Sequence, residues 1–134
     1  WQDLGRGDLS ILNRRVGSSA RILLDTQLKK LHIPPSQVRG YNAIKQSHLT
    51  VASAIGAGEA DLAVGTERVS RQIDTVDFVP LQKERFDLVL RKDSLDTPAV
   101  QKLLEILSSP IFHREVGEFS GNDYRDLGKM MVEV

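Results

Sequence analysis

The 134-residue chain contains no cysteine, which excludes a disulfide framework, a thiol nucleophile and any cysteine-ligated zinc or iron–sulfur centre. Long apolar runs are missing too. The longest charge-free stretch, Gln46 to Gly58, is too short and too polar to cross a bilayer. There is no excess of one charge, because eighteen Lys and Arg stand against eighteen Asp and Glu. That balance argues against a generic polyanion binder and against direct nucleic-acid binding by this segment. Neither a Walker A sequence nor a GxGxxG occurs. His32, His48 and His113 lie far apart without HxxxH or HxH spacing, so no metal site is expected. Gly17-Ser18-Ser19-Ala20 is not a nucleophile elbow, and no His or Asp partner is indicated by spacing. Catalysis therefore has no positive support, and no cofactor is expected.

What is present is a globular composition, with 40% apolar and 27% charged residues. The charge is unevenly spread along the chain. Residues 1–50 hold eight Lys and Arg against three Asp and Glu, and residues 51–134 hold ten against fifteen. Such an asymmetry can bias a cleft toward anions, or it can reflect solvated faces alone. The chain opens on Trp1 without an initiator methionine, and so reads as a processed product or a piece of a longer protein, with a cytoplasmic location expected.

The pattern of elements predicts an α/β fold. Leu9 to Asn13 reads as a strand, and Ser18 or Ser19 as the cap of a helix running to about Leu31, with Leu24, Leu28 and Leu31 along one stripe. Pro34 and Pro35 end it. A second strand is expected over Val38 to Asn42. Ser47 then caps a helix carrying Leu49, Ala52 and Ile55. Asp61 to Thr66 reads as a buried strand, and a weak helix follows from about Glu67 to Ile73. Two more strands are expected at Asp77–Leu81 and Arg85–Arg91, from their Val, Phe and Leu content. Thr97-Pro98 and Ser109-Pro110 are helix starts, the first helix burying Val100, Leu103, Leu104 and Leu107. The tail from Ser120 to Val134 has no clear period. Strands alternating with helices over short connections argue for parallel β-α-β units.

Two helix starts could carry chemistry. At Asn13 to Arg21 a strand ends, a glycine turns the chain, and Ser18 and Ser19 open a helix whose first amides lack internal partners. Backbone N–H groups at such a place can hold an oxyanion, with hydroxyls adding donors and Arg15 or Arg21 adding charge. An ordinary serine-capped helix has the same local sequence. Gln46-Ser47-His48 repeats the arrangement, and His48 is either a donor to an anion or a lone surface histidine. In an open α/β sheet these starts, with Thr66, belong to the carboxyl edge, where ligands bind.

Asn13 to Asp25 resembles the NRxxGSGTRxLLD segment of the periplasmic-binding-protein-like domain family associated with molybdate-related proteins. The likeness continues through Ile33–Tyr41, Ser47–Ala52 and Gly58–Gly65, then through Asp77–Leu81 and Glu84–Val89, and covers most of residues 9 to 120. The resemblance implies a type II solute-binding fold of two α/β lobes closing on a small ligand. Residues 9–80 would be one inserted lobe, and residues 81–134 the return strands and C-terminal helices of a partial second lobe. It implies a non-catalytic oxyanion-binding or sensing domain within a larger protein such as a transcriptional regulator. An accessory domain of a molybdopterin-biosynthesis enzyme is the alternative. The partners implied are a small anionic ligand and either a second copy of the chain or a preceding N-terminal domain. Carried over by position, Ser18, Ser19, Ser47, His48, Thr66 and Glu67 would face the ligand. Ser19-Ala20 stands where the family has Gly-Thr, which removes one hydroxyl. Gly121–Gly128 matches the family's closing GYxxxxxG only loosely, which bears on Tyr124.

Overall fold

Three short parallel strands organise the first part of the chain in the computed structural model, which describes residues 1–119 and 122–131. The central strand β1 is Ile11–Arg14, flanked by β2 (Ile44–Lys45) and β3 (Leu62–Ala63) in the order β2-β1-β3. In register, Asn13 and Arg14 stand opposite Ile44 and Lys45, while Ile11 and Leu12 stand opposite Leu62 and Ala63. Helix α1 (Ser19–Lys30) connects β1 to β2, and α2 (His48–Gly56) connects β2 to β3. The short α3 (Glu67–Ser70) follows β3 and packs against α2. The chain forms two units, Trp1–Pro80 and Leu81–Val134.

Strand alternation sends Ile11 and Leu12 to opposite faces of the sheet. Ile11 packs with Leu24 and Leu28 of α1 and with Leu4 and Val38; Leu12 packs with Val51 and Ala54 of α2. The core is thus two apolar layers with one sheet between them, and Leu24 at 0% exposure is its most enclosed side chain. On α1, Leu31 falls on the C-cap instead of the buried stripe. On α2 the buried residues are Val51 and Ala54, and Leu49 is exposed. That helix is apolar around much of its girth, so periodicity leaves its buried face open and the contact with Leu12 selects it.

The expected second strand at Val38–Asn42 begins later, at Ile44. Only a single bridge, Ser10 to Arg39, precedes it. The cause is Gly40, whose φ of +82° turns the chain out of the extended region. The turn also lets the Ile11 amide donate to the Arg39 carbonyl at 2.9 Å.

In the second unit, α4 (Pro98–Leu107) and α5 (Pro110–Gly117) start at their proline signals and pack on one another. Val100, Leu104 and Leu107 are half-buried, whereas Leu103 is exposed. The strands expected at Asp77–Leu81 and Arg85–Arg91 do not form. These segments have β-favouring side chains, but a strand exists only with a hydrogen-bonded neighbour. Phe86 and Val89 stand 82% and 88% exposed. The tail residues Ser120, Gly121 and 132–134 lie outside the described residues.

Candidate functional site

Parallel strands put all three carboxyl ends on one edge of the sheet, and each end leads into a helix start: Ser18 after β1, Ser47 after β2 and Thr66 after β3. The chain moves outward from β1 to β2 and then crosses back past β1 to β3. Strand order therefore reverses at β1, and in open α/β sheets the crevice outside the carboxyl ends at such a reversal, here those of β1 and β3, is the usual ligand position. Arg14 ends β1, the turn at Gly17 and the start of α1 follow it, and Thr66 follows β3, so all four belong to that edge. Ser47 and His48 lie on the same edge but on the other flank of β1.

The two capping serines are already engaged. Ser18 Oγ donates to the Arg15 carbonyl at 2.9 Å and accepts from the Arg21 amide at 3.3 Å. Ser47 Oγ accepts from the Thr50 amide at 3.0 Å, while Thr50 Oγ1 accepts from the Ser47 amide at 3.0 Å. This reciprocal box closes the α2 start with local hydroxyls. Ser19 is exposed and makes no side-chain hydrogen bond among the described residues. The glycine before these serines, Gly17, has φ of +86°, the left-handed turn that a side chain resists.

The arginines divide sharply. Arg15 is exposed. Arg21 is buried at 6% exposure. Its Nε lies 2.9 Å and 3.0 Å from the two oxygens of Asp25, and its guanidinium sits 4.0 Å over the Tyr41 ring. The Tyr41 hydroxyl donates to the same Asp25 at 2.8 Å. Arg21 therefore ties α1 to the β2 approach and is not available to a ligand, contrary to the added charge expected of it. Arg14, which the sequence pattern does not single out, has its Nε and Nη1 buried without a hydrogen-bond partner. Its burial follows from its place: it ends the central strand two residues beyond Leu12, which packs beneath α2.

Thr66 is the N-cap of α3 but makes no capping side-chain bond. Glu67 accepts from Arg71 Nε at 2.9 Å and Nη2 at 2.6 Å. It lines a hollow of about 310 Å³ with Ser70, Arg71, Val76, Asp77, Phe78 and Pro80. Two carboxylates and one cation, itself paired to one of them, make that hollow a poor seat for an anion. His48 opens α2 and is half-buried. Tyr124 belongs to the second unit, where its hydroxyl accepts from Asn122 Nδ2 at 2.9 Å. Among the described residues no group of three His, Asp or Glu is arranged to hold a metal ion, and no helix is long and apolar enough to cross a membrane.

A family model described as "PBP superfamily domain" matches residues 1–108. A Clostridium pasteurianum protein described as "Uncharacterized protein in ferredoxin 2Fe-2S gene 5'region" is 40% identical over 113 residues, covering 84% of this chain and 100% of that protein. The Bacillus subtilis (strain 168) protein "Uncharacterized protein YvgK" is 35% identical over 133 residues, 99% of this chain and 42% of that protein. No solved structure matches.

Proposed function

The chain belongs to the PBP superfamily, and from that premise we propose that it is a non-catalytic module that binds a compact oxyanion, of the molybdate type, at the carboxyl edge of its sheet. Membership suggests ligand binding; the class of ligand is our reading. The observation that carries it is the reversal of strand order at β1, the place where open α/β sheets take ligands, followed directly by the start of a twelve-residue helix, α1. The free amides and partial positive charge of that helix end favour an anion. Exposed Ser19 and Gly65 leave the edge open to solvent. On this reading residues 9–80 act as one lobe of a binding protein. The Bacillus relative, of which the match spans 42%, supports a module that works inside a longer protein, with a regulator as our preferred setting.

Calorimetry on the full chain with molybdate, tungstate, sulfate and phosphate tests this. Binding of at least one is expected, with affinity falling as ionic strength rises. Absence of heat and of thermal stabilisation with all four overturns the reading.

A further inference from the structure

Arg14 ends the central strand on the α2 face of the sheet, two residues beyond Leu12. Two other cations of this unit have partners. Arg21 is held by Asp25, and Lys45, the register partner of Arg14 on β2, reaches Glu59 at 2.6 Å. Arg14 is half-buried and forms no ion pair among the described residues, and its Nε and Nη1 are buried with nothing to donate to.

That arrangement is costly as it stands. A guanidinium cannot shed its proton to escape burial, and a half-buried charge without a partner loses part of its hydration without compensation. An anionic oxygen supplies both the missing charge and the missing acceptors. The position also suits a ligand. Extending the β1–β3 register by two residues sets Arg14 level with Gly65, where even an added Cβ would meet nothing within 4 Å. Space and positive charge thus occur together at the crevice.

We propose that the Arg14 guanidinium is the cationic anchor of the site, donating to the oxygens of a compact oxyanion, and that exposed Arg15 is not. The proposal rests on the anion-binding reading above and adds the residue that makes it specific. It also shifts the main donor from the serine hydroxyls, of which Ser18 is already engaged by Arg15 and Arg21.

The test titrates the full chain, its Arg14→Gln variant and its Arg15→Gln variant with molybdate, sulfate and phosphate. Losing hydrogen bonds to a charged group predicts a fall in affinity of roughly tenfold or more for Arg14→Gln, and little change for Arg15→Gln. Arg14→Lys, which keeps the charge but not the planar donor set, should fall in between. Undiminished binding by Arg14→Gln overturns the anchor while leaving the anion reading intact. Failure of the unaltered chain to bind any of the three overturns the anchor, and the added failure of tungstate overturns the reading with it. Should Arg14→Gln not fold, the Nε–H resonance of Arg14 in the unaltered chain decides. A shift that saturates with the anion supports the anchor, and a resonance unmoved while the anion binds overturns it.

Discussion

Ser10 and Asp61 clasp one another where β1 and β3 begin. Asp61 Oδ2 accepts from both the Ser10 amide and the Ser10 hydroxyl at 2.7 Å, and the Asp61 amide donates to the Ser10 carbonyl at 3.1 Å. The clasp sets the register that carries Leu62 and Ala63 past Ile11 and Leu12. It lies at the amino edge of the sheet, away from the crevice, so it bears on the fold and leaves the ligand's chemistry alone.

The clasp makes stability depend on acid. The Ser10 hydroxyl first, and the Ser10 amide next, hold the Asp61 carboxyl below the usual carboxylate range. A carboxyl depressed in the folded state stabilises it above the unfolded pKa of about 3.9. That contribution fades as pH falls through the lower folded value. Urea unfolding between pH 7 and pH 2 should therefore show a smaller loss of stability below about pH 4 in Asp61→Asn than in the unaltered chain. Parallel pH profiles for the two would remove this role from Asp61.

Gly40 and Gly17 are both left-handed, at φ +82° and +86°, but their surroundings differ. A Cβ on Gly40 would lie 2.3 Å from the Ile11 carbonyl oxygen, inside the β1 ladder, whereas one on Gly17 meets nothing within 4 Å. Gly17→Ala should cost only the left-handed backbone penalty of about 1–2 kcal/mol. Gly40→Ala must in addition push β1 away from the Arg39 turn, and should cost clearly more. Equal shifts in the urea midpoint would show that the turn relaxes freely.

Leu24 is fully enclosed between α1 and β1. Leu24→Ala should destabilise the chain by about 2–5 kcal/mol through lost transfer energy and the cavity left behind. Denaturant unfolding should show a lower midpoint with an unchanged slope. A loss under about 1 kcal/mol would mean that the site collapses around the smaller side chain.

Local signals made the helix starts of both units legible. Ser18, Ser47, Thr97-Pro98 and Ser109-Pro110 each announce a helix that is there, because a cap or an N1 proline acts within one turn. What depends on distant partners was not legible. Asp77–Leu81 and Arg85–Arg91 have strand-forming side chains but no strand beside them. The buried face of α2 was settled by Leu12, thirty-nine residues before Val51. The site divides in the same way. The helix starts could be read from sequence, but the pairing of Arg21 with Asp25 and the isolation of Arg14 depend on which face of β1 each element covers.

Ser18 and Ser19 separate the folding role of the α1 start from its binding role. Ser18 spends both its donor and its acceptor on the turn, to the Arg15 carbonyl and from the Arg21 amide. Ser18→Ala should therefore lower stability by about 0.5–2 kcal/mol, the usual cost of removing a cap. Ser19 is exposed and makes no side-chain hydrogen bond among the described residues, so Ser19→Ala should leave the unfolding midpoint nearly unchanged. If the oxyanion sits at this helix start, Ser19→Ala should weaken it by the loss of one charge-assisted hydrogen bond, about 1.5–3 kcal/mol. Comparing the midpoint and the anion affinity of the two variants separates the roles. A midpoint lowered by Ser19→Ala and untouched by Ser18→Ala would reverse them, because the hydroxyl that holds the turn would then be the second serine.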